Sequence, residues 1–271
     1  VSKLWDVVIL GCGQLGGNLK TQLEQQKYQV LGVRRTKVAN DSTYLSLDLD
    51  SPDAWDVLAS LPIHSNAVIV GIVTPDQRTP EGYRKRYVGV AERLRQLASL
   101  PGRCHSVVWV SSTAVYADDQ YGELDEEVPC HPTSWRGQIV REAELAIEAI
   151  TVPKTIIRYT GLYSAHSLAR LLDPKFKGQI NPRTVSNRMH REDAVCWLRF
   201  LIEALANGRP TPPLIHGVDT CSVTYDTLFA RLNGTLDTLV PATEGRVIRS
   251  RYRDLMPALH YPSLDSVLGT N

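Results

Sequence analysis

The chain has 271 residues, of which 43% are hydrophobic and 22% charged, and its formal net charge is +1. That length buries a core without disulfide or metal staples, and the near-neutral charge excludes a global field that would draw in nucleic acid or a membrane surface. No apolar run approaches the roughly 18–20 residues of a bilayer span, and Cys12, Cys104, Cys130, Cys196 and Cys221 lie far apart with no C-x-x-C pair, so a reducing, cytoplasmic setting without zinc or disulfides is expected.

In chain order, short β-branched runs alternate with amphipathic stretches. Strands are predicted over 6–10, 29–33, 67–71, 106–110 and 154–158, and helices over 14–26, 53–58, 83–98 and 137–149. This is the pattern of βαβ units, and right-handed crossovers make it an α/β fold with a doubly wound parallel sheet. After residue 158 the pattern loosens. Gly, Pro, Asn and Ser are scattered through 159–190, and an amphipathic helix follows over 193–206. Then come a Pro-rich link at 208–213, a strand at 214–218, a helix at 225–232 and a tail carrying Tyr261-Pro262-Ser263 before a last short helix. The expected organisation is a nucleotide-binding domain over 1–160 and a small substrate lobe over 161–271, interleaved with the end of the sheet.

Val7-Val8-Ile9-Leu10 runs directly into Gly11-Cys12-Gly13-Gln14-Leu15-Gly16. A G-x-G-x-x-G between strand and helix has a mechanical logic: Gly11 permits the tight turn, Gly13 lets backbone approach a pyrophosphate, and Gly16 lets helix pack on strand. The phosphates then meet free N–H groups around Gln14 and Leu15 at the helix N-terminus. Where the second strand closes, a carboxylate would accept from the ribose 2′-hydroxyl of NAD, but the chain reads Arg34-Arg35. Two guanidiniums suit bidentate contacts with a 2′-phosphate, so NADP(H) is the expected cofactor and NAD the other candidate. Asp48, beyond the second predicted strand, has two readings, an adenine contact and a turn cap.

Further motifs follow in order: Ser111-Ser112-Thr113-Ala114-Val115-Tyr116, Arg158-Tyr159-Thr160-Gly161-Leu162-Tyr163, and His190-Arg191-Glu192-Asp193 opening the long helix. With the glycine turn and Tyr261-Pro262-Ser263, they resemble the extended short-chain dehydrogenase/reductase superfamily, the NAD(P)-dependent epimerase/dehydratase group, over nearly the whole chain. The resemblance implies a Rossmann sheet. It also places Ser112 where the catalytic serine or threonine hydrogen-bonds the reacting oxygen, with Ser111 beside the cofactor. Small polar residues ending a buried strand are the other reading of both serines. The positions that are acidic in sugar-nucleotide 4,6-dehydratases are here Thr113 and Ala114, which excludes that elimination chemistry. The family's Y-x-x-x-K dyad is missing too, with Arg136 at the tyrosine position and Val140 at the lysine position. Arginine stays protonated at working pH, and valine carries no charge to depress a neighbour's pKa.

Two functions stay open. In the first, the chain is an NAD(P)-dependent oxidoreductase or epimerase acting on a small carbonyl or hydroxyl compound or a nucleotide-sugar-like substrate. Ser112 polarises the substrate oxygen, and Tyr116 or Tyr163, each after a strand's C-terminal end, supplies a second hydroxyl. Packing with a satisfied hydroxyl is the other reading of each tyrosine. In the second function, the chain is a non-catalytic NADP(H)-binding sensor. The expected partner is a small-molecule substrate; the oligomeric state stays open, and the resemblance implies that a homodimer, where one forms, pairs through helices 83–98 and 137–149. Neither nucleic acid, a membrane nor a metal is expected. The basic run Arg84-Lys85-Arg86 and the tail residues Arg246, Arg249, Arg251 and Arg253 read as solvated faces.

Overall fold

A computed structural model describes residues 4–268. Strand β1 (Trp5–Leu10) is buried almost end to end, as a strand must be when helices cover both faces of its sheet. It is followed by α1 (Gln14–Gln25), β2 (Val30–Arg34), β3 (Tyr44–Ser46), α2 (Asp53–Ser60), β4 (Ile63–Gly71), α3 (Pro80–Tyr83), α4 (Gly89–Ser99), β5 (Ser106–Ser112), β6 (Gly122–Leu124), α5 (Trp135–Glu148) and β7 (Lys154–Tyr159). The remainder holds β8 (Gly161–Tyr163), α6 (Ala165–Ala169), α7 (Pro174–Lys177), β9 (Val185–Ser186), β10 (Arg188–His190), α8 (Arg191–Ala206), β11 (Leu214–Gly217), β12 (Val223–Thr224), α9 (Tyr225–Leu232), β13 (Arg246–Ile248) and α10 (Asp265–Leu268).

Seven strands form one sheet in the order β11-β7-β5-β4-β1-β2-β3, with every pair parallel. Chain progression reverses between β1 and β4, and at such a switch point the C-terminal ends of the strands open a crevice. Alternate side chains divide between two cores. Leu10, Leu31, Ile69 and Trp109 pack under α2, α4 and α5, while Val7, Ile9, Val68 and Ile157 pack under α1 and α8. The strand ends that face the crevice are thus held by apolar packing on both sides.

The helix predicted over 83–98 is in fact three pieces. Thr79 caps α3 by accepting from the Gly82 N–H at 3.1 Å, with Pro80 in the first turn. A π-helical turn over Arg84–Val88 then precedes α4. Such a turn inserts one residue into the helical repeat. Here Arg86 and Tyr87, adjacent in sequence, both reach the crevice.

Past residue 161, α8 and β11 return to complete the sheet and its cover. What stands apart is small: β8 paired parallel with β10, β9 antiparallel with β12, β6 parallel with β13, and α9. Tyr163, Leu168, Val223, Leu228 and Leu264 form its own apolar cluster.

Candidate functional site

The crevice holds two chambers of about 270 and 350 Å³ that share Gly11, Gly13, Ile72 and Thr74. Gly11 has φ +84°, and a Cβ on it would lie 2.1 Å from the Ile72 carbonyl oxygen, so no side chain fits. A Cβ on Gly16 would stand 3.1 Å from Ile9 Cγ2, which shows how closely α1 lies on β1. A Cβ on Gly13 would meet nothing within 4 Å, although Gly13 lines both chambers. Gly13 is also the N-cap of α1 and brings no side chain to its first-turn N–H groups. Gln14, Leu15 and Gly16 line the same chamber, so the helix presents uncapped donors and its positive end to the crevice. This cradle fits a dinucleotide's diphosphate. Cys12 between the glycines is a packing residue, its thiol pushed up to about 11 by burial.

One further cation reaches this chamber. Arg191, the first residue of α8, donates from Nη1 to Gln14 Oε1 at 2.7 Å and has no carboxylate partner among the described residues. Its motif was visible in the sequence, but only the packing of α8 against α1 brings it to the glycine turn.

The chamber on the β2 side is lined by Arg34, Arg35, Leu49, Asp76 and Arg86. Asp76 clasps Arg35 through both Nη atoms and also accepts from Arg86 Nη2 at 3.2 Å. Burial acts to raise the Asp76 pKa, but the hydrogen bonds and charges of the two arginines outweigh it and hold the carboxyl below its ordinary value. With side chains 51% and 41% exposed, the Arg35–Asp76 pair is worth about 0.2–1 kcal/mol and opens readily. Arg86 is buried and pairs with Asp50 at 3.2 Å, while its Nε finds no hydrogen-bond partner among the described residues. Arg34 has no ion-pair partner among the described residues. Of the two readings of Asp48, the turn cap is the one seen: its Oδ1 accepts from the Asp50 N–H at 3.1 Å, and its neighbour Leu49 lines the chamber.

The chamber at the β5 end carries hydroxyls from Tyr87, Ser111, Ser112, Tyr159 and Thr160. Three of their protons serve structure. Ser111 donates to Glu144 at 2.6 Å, Tyr159 to the Ala194 carbonyl at 2.6 Å and Thr160 to the Gly217 carbonyl at 3.0 Å. Ser112 Oγ instead accepts from the Ala114 N–H at 3.2 Å, which leaves its own proton free. The Tyr87 hydroxyl has no hydrogen-bond partner among the described residues. Burial, then the neighbouring Tyr83, pushes its pKa up to about 12, so Tyr87 is a neutral donor at ordinary pH.

Tyr116 and Tyr163, the two tyrosines expected to serve catalysis, lie outside this chamber. Tyr116 is buried, and its hydroxyl accepts from Arg158 Nη1 at 3.0 Å. His216 Nδ1 donates to the Arg249 carbonyl at 2.8 Å, which leaves Nε2 to accept from Tyr116 at 3.0 Å. Behind it, Arg158 forks onto Glu144 at 2.8 and 2.7 Å, completing a buried chain from Ser111 to His216. Ser111 thus reaches the crevice wall with its hydroxyl turned inward. Tyr163 is fully buried in the small lobe, edge-on to His190 at 5.2 Å, and burial drives its pKa far up. At the missing dyad, Arg136 is exposed over the Trp135 ring at 5.0 Å, and Val140 packs against Val115 and Tyr116.

Two sequence motifs meet away from the crevice. The Asp193 carboxylate accepts from the N–H groups of His260 and Tyr261 at 2.8 and 2.9 Å, pinning the tail segment to α8. His190 caps that helix through Nδ1, and burial lowers its pKa. The basic run is paired internally: Arg84 with Glu142, Lys85 with Asp50 at 3.4 Å, and Arg86 as described. A separate cleft of about 1,440 Å³ lies in the small lobe, with Arg183, Arg246, Asp226 and Glu244 on its walls. Of the lobe over 161–271 expected to hold a substrate, residues 181–185 are among those that reach this cleft.

Residues 7–226 match the NAD dependent epimerase/dehydratase family. The chain belongs to that family. It is accordingly an enzyme of the epimerase/dehydratase kind, built on a nicotinamide-dinucleotide fold. Solved structures agree in fold. A Methylobacillus flagellatus protein described as an NAD-dependent epimerase/dehydratase is 24% identical, with 98% of this chain and 96% of that one covered and a TM-score of 0.74. MoeE5, solved with UDP-glucose and NAD, is 19% identical over 98% and 96% of the two chains, with a TM-score of 0.73. Human SDR39U1, solved with NADPH, is 18% identical over 97% of each chain, with a TM-score of 0.69. No curated protein matches the sequence significantly. No helix among the described residues of this epimerase/dehydratase-family chain is long and apolar enough to cross a membrane.

Proposed function

We propose that the chain is an NADP(H)-dependent oxidoreductase or epimerase whose substrate presents a carbonyl or hydroxyl to Ser112 and Tyr87. The observation that carries this reading is one continuous crevice with guanidiniums at its β2 end and two free hydroxyl protons at its β5 end. The first-turn N–H groups of α1 would hold the diphosphate, with Arg191, hydrogen-bonded to Gln14, as a neighbouring cation. Arg34 and Arg35 take the ribose phosphate. The complexes of SDR39U1 with NADPH and of MoeE5 with UDP-glucose and NAD support the same ligand classes here.

A bound nicotinamide supplies or removes hydride, and the chain's residues handle the oxygen. Ser112 donates its free proton in a hydrogen bond to that oxygen. Tyr87, neutral and without a hydrogen-bond partner among the described residues, donates a second hydrogen bond. Without a lysine to lower a phenol's pKa, turnover is slow, because losing a well-placed acid–base group costs about 10²- to 10⁴-fold. Purified protein given NADPH and a panel of carbonyl compounds and nucleotide sugars shows slow loss of absorbance at 340 nm, and Ser112→Ala abolishes it while retaining the cofactor. The missing dyad favours a second reading, a dinucleotide sensor. Saturable binding with no turnover across the panel would establish that one instead.

A further inference from the structure

We propose that Asp76 is a specificity-determining residue: its carboxylate competes with a ribose phosphate for Arg35 and Arg86, tempering the preference for NADP(H) and keeping NAD(H) as a usable ligand. The inference rests on the nicotinamide-dinucleotide reading of the crevice. Arg35 follows β2 and Asp76 follows β4, so their ion pair bridges the two rims of the β2-side chamber. Both Nη atoms of Arg35 are engaged by Asp76, and these are the donors that a phosphate would take bidentately. A second contact, from the buried Arg86 at 3.2 Å, keeps the carboxylate beside both guanidiniums in that chamber. A dianionic phosphate that takes the same Nη donors competes with Asp76 for them, and the carboxylate stays nearby as a like charge. A 2′-hydroxyl meets no such conflict, since an ionised carboxylate accepts hydrogen bonds from it. Asp76 on the β4 loop thereby takes up the role that an acid closing β2 would otherwise have.

The test is isothermal titration of the full chain with NADPH and with NADH, for the wild type, Asp76→Asn and Arg35→Gln. Asp76→Asn is expected to tighten NADPH at least fivefold while leaving NADH unchanged or weaker, so that the NADPH/NADH affinity ratio rises about tenfold. Arg35→Gln is expected to move the ratio the other way. Both side chains are largely exposed, and thermal unfolding checks that the variants fold as the wild type does. An unchanged ratio in Asp76→Asn, with the wild type binding either dinucleotide, overturns the role of Asp76 and leaves the site reading standing. Absence of binding of both dinucleotides to the wild type overturns the site reading and this inference together.

Discussion

Gly11 and Gly13 are two residues apart, yet alanine at each is expected to fail in opposite ways. At Gly11 the backbone is left-handed and the new methyl would stand 2.1 Å from the Ile72 carbonyl oxygen, so Gly11→Ala must shift the β4 loop or unfold. Strain of this kind together with a backbone clash costs on the order of 1–3 kcal/mol or more. At Gly13 a methyl meets nothing within 4 Å, so Gly13→Ala is expected to lose much less stability than Gly11→Ala, its cost confined to a backbone of φ −86° and ψ −145° that suits glycine better than alanine. The methyl would nevertheless enter the space over the first turn of α1 that is proposed to take the diphosphate. Losing one charge-assisted hydrogen bond costs about 1.5–3 kcal/mol, which raises Kd roughly 10- to 150-fold. Thermal unfolding and NADPH fluorescence titration of the two variants separate these effects. The reasoning is refuted if Gly13→Ala binds NADPH as tightly as wild type, or if it loses as much stability as Gly11→Ala.

The buried chain behind Ser111 gives a stability prediction. Glu144→Gln leaves Arg158 charged and unpaired and is expected to cost about 3–5 kcal/mol, seen as a drop of roughly 6–20 °C in Tm. Tyr116→Phe removes one hydrogen-bonding hydroxyl and is expected to cost about 1 kcal/mol without a change in NADPH affinity, as a titration will show. Asp219 adds a pH dependence: burial raises its pKa to about 8, and its Oδ2 has no hydrogen-bond partner among the described residues. The folded chain therefore keeps this proton after the unfolded chain has lost it, and stability falls as pH rises from about 4 to about 8. Asp219→Asn is expected to melt higher than wild type at pH 8 and alike at pH 4 in calorimetry, and the reverse order contradicts the assignment. Tyr87→Phe is expected to lower kcat with little change in cofactor Kd, whereas unaltered turnover excludes Tyr87 from the reaction.

The β1–α1 turn was legible in the sequence because each of its glycines answers to a distinct local constraint. The parallel sheet was legible because long buried strands leave continuous apolar runs. The tyrosines were not, because strand position says where a residue begins and not where its hydroxyl ends. Tyr116 turns toward Arg158 and His216, partners 42 and 100 residues away that no local pattern reveals. Tyr87 was hidden for a different reason. It sits in a π turn, and a helical repeat with one inserted residue has no signature in apolar spacing. Arg191 belonged to a recognised motif, yet its position beside Gln14 depends on α8 packing against α1, two helices on the same face of the sheet.

The most direct measurement is calorimetric titration of the wild-type chain with NADPH and NADH at low salt. The account predicts saturable one-to-one binding, tighter for NADPH, with an affinity that falls as salt screens the guanidiniums. If neither nucleotide produces heat, quenching or a shift in melting temperature, the uncapped turn at Gly13 does not hold a diphosphate.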